Sequence, residues 1–107
     1  MHRRSATSVL SAPVVIGRQV LGHVSELVFD RELLRLVGYE VELPSGTRRF
    51  LPTGVASPGP VGIEVASPLH LVDPEYYRRH GVPLTEAPET TPLEIDLDSG
   101  DVVRRGR

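Results

Sequence analysis

Leu36-Val-Gly-Tyr-Glu-Val-Glu-Leu-Pro-Ser-Gly-Thr-Arg-Arg-Phe-Leu-Pro52 is the stretch that decides the fold class. Val37, Tyr39, Val41 and Leu43 fall on one side of an extended chain, and Gly38, Glu40 and Glu42 on the other. This is the period-two pattern of a strand with one buried face. Pro44-Ser-Gly46 then supplies a turn, because proline presets φ and glycine accepts the positive φ of a tight hairpin. A return strand is expected over Thr47 to Leu51, ended by Pro52, which withholds a ladder donor.

On the N-terminal side, Val20 to Phe29 is rich in β-branched and apolar residues, with Gly22 placed where a strand bends at a barrel corner. The leucines of Glu26 to Val37 also permit an amphipathic helix. Two strands joined by a turn at Asp30-Arg-Glu32 are the favoured reading, because the segment that follows alternates so regularly. Pro13 to Ile16, closed by Gly17, reads as a first strand or its approach. Residues 1–12 are small and polar with two arginines, and read as a flexible arm.

On the C-terminal side, Gly54 to Gly62 is expected as loop, and Val61, Ile63 and Val65 as the buried side of a further strand. Asp73-Pro-Glu75 has the form of a helix start, with Asp as N-cap and Pro at the first helical position. A short helix is predicted over Pro74 to His80, stopped by Gly81. Residues 83–107 read as an extended tail in which Leu93, Ile95 and Leu97 alternate with acids. Ser99-Gly100 then turns the chain into a second hairpin, one that needs something to dock on. The whole predicts an all-β fold, with 13–82 as a small barrel domain carrying one short C-terminal helix.

The chain has 107 residues, 39% of them hydrophobic and 24% charged, with no cysteine and a net charge of −2. Disulfides and thiolate metal sites are therefore excluded. The charge argues against a general nucleic-acid binder, and two phenylalanines, three tyrosines and no tryptophan make a poor base-stacking platform. All twelve cationic side chains are arginine, which suits planar pairing with carboxylates at interfaces. Arg48 and Arg49 on the hairpin, and Arg78 and Arg79 on the predicted helix, are the candidate partner contacts. No apolar run spans a bilayer and no signal-type block follows the N-terminus, so a cytoplasmic address is expected.

Neither a P-loop nor a dinucleotide glycine fingerprint occurs, and there is no Gly-x-Ser-x-Gly nucleophile turn. No catalytic residue is assigned, and no cofactor or metal is expected to bind this chain directly. His70, Asp73 and His80 are loosely spaced like metal ligands but read better as polar residues around a helix cap. His23 reads as a surface histidine. The acidic group Glu26, Asp30, Glu32, Glu40 and Glu42 is either a solvated face or a set of carboxylates that handles protons once a partner partly buries it.

The run Gly22-His-Val-Ser-Glu-Leu-Val-Phe-Asp30, then Gly38-Tyr-Glu-Val-Glu-Leu43, then Gly46-Thr-Arg-Arg-Phe-Leu-Pro52 resembles the PRC-barrel domain family, over about Pro13 to Val72. Within it the likeness is greatest to the cytoplasmic domain of the photosynthetic reaction-centre H subunit. The resemblance implies a non-catalytic subunit that caps the cytoplasmic face of a reaction centre, stabilises the quinone region and assists proton delivery to the secondary quinone. Bacteriochlorophyll and quinones would then sit on the reaction-centre membrane subunits, and a separate chain would supply the membrane anchor. The resemblance makes Asp30, Glu32, Glu40 and Glu42 the proton-uptake candidates: Asp30 matches a family position directly and Glu32 is displaced from one by a residue. The alternative is a free-standing PRC-barrel protein-interaction adaptor unrelated to photosynthesis.

Overall fold

In the computed structural model of the chain, which describes residues 3–32, 35–75, 81–86 and 93–104, ten strands form two sheets. Strands β1 (Arg3–Ser5), β9 (Leu93–Asp96) and β10 (Val102–Arg104) make the smaller, in the order β1-β9-β10. The larger runs β5-β4-β3-β2-β7-β6 and curls into half a barrel. Its strands are β2 (Pro13–Ile16), β3 (Gln19–Phe29), β4 (Leu36–Glu42), β5 (Arg48–Pro52), β6 (Ala56–Pro58) and β7 (Ile63–Val65), with β8 (Val82–Pro83) pairing on β3. The fold is all-β.

The central hairpin is present, with Gly46 at φ +91° in its turn and Glu42 facing Arg48, Val41 facing Arg49 and Tyr39 facing Leu51. The strand reading of Glu26 to Val37 holds over the helical one, since β3 runs to Phe29 and a turn at Arg31–Glu32 follows. β5 ends at Pro52 as expected, but not through a donor lost to β4. Leu43 N–H bonds to Thr47 O, whereas Phe50 N–H bonds outward to Val72 O. Alternate residues of β5 therefore point their amides away from β4, and Pro52, two beyond Phe50, is one of them. Its missing N–H leaves the β4–β5 ladder intact.

Two bulges set which side chains reach the core. Val24 faces Val41 and Glu26 faces Glu40, so β3 carries one extra residue, Ser25. Without it the odd spacing of Val24 and Leu27 would put them on opposite faces; with it both are buried, at 2% and 0% exposure. The second bulge falls in β4 at Val37, where Val28 faces Gly38 and Phe29 faces Leu36. Leu36 takes the core position expected for Val37, which is half-buried. The other face of β4 is covered as well. Phe50, 1% exposed, lies against Gly38, where a Cβ would collide with its ring and with Leu51 O.

Three expectations fail. Residues 3–12 are not a free arm: β1 pairs with β9, the helical turn α1 (Ala6–Val9) follows, and Ala6 and Val9 are buried in the core. The proposed loop 54–62 contains β6, and Val61 is 70% exposed because Gly59 N–H to Gly62 O closes a turn ahead of β7. The C-terminal tail, by contrast, meets its expectation and docks on this core. Its hairpin forms as expected, and Ile95 and Leu97 join the core beside Val9. At the predicted helix start, Glu75 N–H donates to Asp73 Oδ1 at 2.9 Å, a contact compatible with an N-cap. Residues 76–80, with Arg78, Arg79 and His80, lie outside the described residues.

Candidate functional site

His23, Glu26, Glu40, Glu42 and Arg48 gather on the face of β3, β4 and β5 that carries Phe50. His23 stands directly opposite Glu42, and Glu26 opposite Glu40, in cross-strand pairs that share a face. The extra residue in β3 makes this so, since His23 and Glu26 are an odd number of positions apart. From β5, Arg48 reaches back to both acids of β4, with Nη1 3.4 Å from Glu40 Oε1 and Nη2 3.7 Å from Glu42 Oε1. Among the described residues Glu40 is the one buried charged side chain, at 7% exposure. Two carboxylates at adjacent same-face positions repel, and the guanidinium between them offsets that repulsion.

Glu26 is held from another direction. Its Oε2 accepts from Thr85 Oγ1 at 2.8 Å, and its Oε1 from Leu27 N–H at 3.0 Å. Thr85 belongs to the short turn Leu84–Glu86 that follows β8, so the docking of β8 on the end of β3 fixes the Glu26 carboxylate. Nothing in the sequence marked Thr85 as a partner, because the link spans 59 residues.

The four proton-uptake candidates do not form one group. Glu40 and Glu42 sit on the sheet face with Arg48. Asp30 lies four residues beyond Glu26, about 13 Å along the strand, at the loop end of the β3–β4 connection. There Asp30 N–H donates to Arg35 O at 3.0 Å and Asp30 Oδ1 accepts from Arg35 N–H at 3.4 Å, which closes the connection. Glu32 is exposed in the turn beside it.

Of the arginines, Arg49 projects to the opposite face from Arg48. It is exposed and has no ion pair among the described residues, whereas Arg48 and Arg35 both have one. His70 is half-buried with its Nδ1 enclosed and without a hydrogen-bond partner. No group of three His, Asp or Glu side chains that could hold a metal ion occurs among the described residues, and none of the described helices is long and apolar enough to cross a membrane.

Tyr39, on the core side of β4, is 2% exposed, and desolvation of the phenolate raises its pKa from 10.0 to about 12. Tyr39 is a core residue in this setting.

The chain matches no protein-family model and no curated protein.

Proposed function

We propose that this chain is a non-catalytic docking subunit of PRC-barrel type, an adaptor that recruits a protein partner. Support comes from the strand–turn–strand run Gly22 to Pro52, whose resemblance to that family is carried by residues on three neighbouring antiparallel strands, β3 on β4 on β5. The observation that carries the reading is the central hairpin itself. It sends Arg48 to one face, tied to Glu40 and Glu42, and Arg49 to the other, exposed and with no ion pair among the described residues. Arginine presented on a rigid strand is a preorganised interface anchor.

A second reading takes the partner to be the cytoplasmic face of a photosynthetic reaction centre, with this chain peripheral to the membrane and its carboxylates assisting proton delivery to a quinone. The group Glu26, Glu40 and Glu42 on one sheet face favours it. The separation of Asp30 and Glu32 from that group, and the arginine held between Glu40 and Glu42, make it the weaker of the two.

Both readings are tested by tagging the chain in its own cells, solubilising membranes gently and recording the polypeptides and absorption spectrum of what copurifies. Colourless partners in fixed stoichiometry are expected for the adaptor. Bacteriochlorophyll bands with reaction-centre polypeptides would replace it by the second reading, and a chain recovered alone would overturn both.

A further inference from the structure

On the face that carries Arg49, the tip of the β4–β5 hairpin and the segment 68–71 stand apart from each other and leave an open groove of about 610 Å³. Its walls are Leu21 from β3, Leu43 and Pro44 from the hairpin, and Leu69 and Leu71 from the short 3-10 turn and its exit. Leu69 is 85% exposed, the most exposed large apolar side chain among the described residues. Ser67 holds it there: as N-cap of the turn its hydroxyl accepts from Leu69 N–H at 3.1 Å, so the outward position of the side chain is built into the backbone. Arg49 lines the same groove with no ion pair among the described residues.

We infer that this groove, taking the docking role above as given, receives an extended segment of a partner protein in which an aliphatic side chain stands close to a carboxylate. The aliphatic group covers Leu69 and Leu71, and the carboxylate pairs with the Arg49 guanidinium, whose planar fork takes both oxygens at once. Charge complementarity selects this occupant over two others. In a twofold pair of copies the patch would face itself, bringing one arginine-bearing rim against another. An anionic membrane surface is held by clusters of basic residues, and Arg49 is the single basic residue in the groove wall.

The test selects random dodecapeptides displayed on phage against the full chain and measures the enriched sequences as synthetic peptides. Peptides with Leu, Ile, Val or Met within a few residues of Asp or Glu are expected. Their affinity should fall about tenfold or more, roughly 1.4 kcal/mol per decade, in Arg49→Glu and in Leu69→Asp. It should be unchanged in Val61→Asp, which places a charge at an exposed valine outside the groove. Selection against Arg49→Glu should return peptides bearing Lys or Arg in place of the acid. Both substituted positions are exposed, so the variants keep the fold, which circular dichroism verifies.

Enrichment without an acid, or binding indifferent to Arg49→Glu, overturns the inference. So does concentration-dependent dimerisation abolished by Leu69→Asp, which would make a second copy the occupant, or vesicle binding lost in the same variant, which would make it a membrane. A partner that still copurifies with the double variant Arg49→Glu/Leu69→Asp overturns the groove and leaves the docking role standing. A chain that takes up neither peptide nor partner overturns both.

Discussion

Phe50 and Val72 exchange both backbone hydrogen bonds across the outer edge of β5, 2.7 Å from Phe50 N to Val72 O and 2.8 Å in return. The pairing stops there for a reason legible in the sequence. Continued antiparallel, it would set Pro52 opposite His70 and Pro74 opposite Arg48, and neither proline has an N–H to give. One pair thus covers the middle of an exposed edge, and two prolines keep the ladder from growing.

Val72→Pro removes the donor to Phe50 O and frees the edge. Urea unfolding should show a loss of about 1–3 kcal/mol, and sedimentation at raised protein concentration should show self-association that the parent chain lacks. A variant as stable and as dispersed as the parent would mean the bridge contributes nothing.

Gly38 and Gly54 should respond in opposite directions to the same change. A Cβ at Gly38 would meet the Phe50 ring and Leu51 O, so Gly38→Ala should lose about 1–3 kcal/mol by overpacking. At Gly54 nothing lies within 4 Å and no positive φ is required. Gly54→Ala should therefore be neutral or gain about 0.4–1 kcal/mol by narrowing the unfolded ensemble. Thermal midpoints of the two variants decide it.

Tyr39 makes alkaline stability a readout of core burial. Its folded pKa is raised above the unfolded one, so its contribution is fully present below pH 10 and is lost as pH climbs from 10 towards about 12. The stability lost across that window is on the order of 3 kcal/mol. Ultraviolet titration should show one tyrosine ionising near the top of that window. In Tyr39→Phe this contribution to the alkaline loss of stability should disappear.

Arg48→Met should cost more than Glu42→Gln. The first removes the guanidinium 3.4 Å from the Glu40 carboxylate, which is 7% exposed, at about 1–3 kcal/mol. The second alters a pair whose side chains are both about half exposed, for which ~0.5 kcal/mol or less is expected. Equal chemical-denaturation midpoints for the two variants would contradict the assignment of Glu40 as the paired, enclosed acid.

His70→Leu tests an enclosed nitrogen with no partner. Removing the orphaned Nδ1 should leave stability unchanged or raise it by about 1 kcal/mol. A marked loss would show that the imidazole makes a contact worth more than its desolvation.

The central hairpin was readable because its information is local: alternation in Val37–Leu43, a Pro-Ser-Gly turn, and apolar residues close in sequence. The N-terminal segment was not. Arg3 to Ser8 offers no periodicity, and what orders it is the edge of β9, some ninety residues downstream. The bulge at Ser25 was equally hidden, yet it decides that Glu26 faces Glu40 rather than the core. Asp30 was placed correctly at a turn, but its distance from Glu40 depends on register, which alternation alone does not give. The groove was beyond reach for the same reason, since Leu21, Leu43, Leu69 and Leu71 come from three separate segments.

The pairing of Arg3–Ser5 with Glu94–Asp96 also bears on how the molecule forms during synthesis. The larger sheet has all its strands up to β7 once residue 65 has been made, but β1 has no neighbour until β9 exists, and Val9 has no Ile95 to pack against. Residues 3–5 thus wait for a partner made some ninety residues later and settle after the larger sheet. Until then the emerging chain presents an unfinished edge and a partly open core on the ribosome, the interval in which chaperones or aggregation compete with folding.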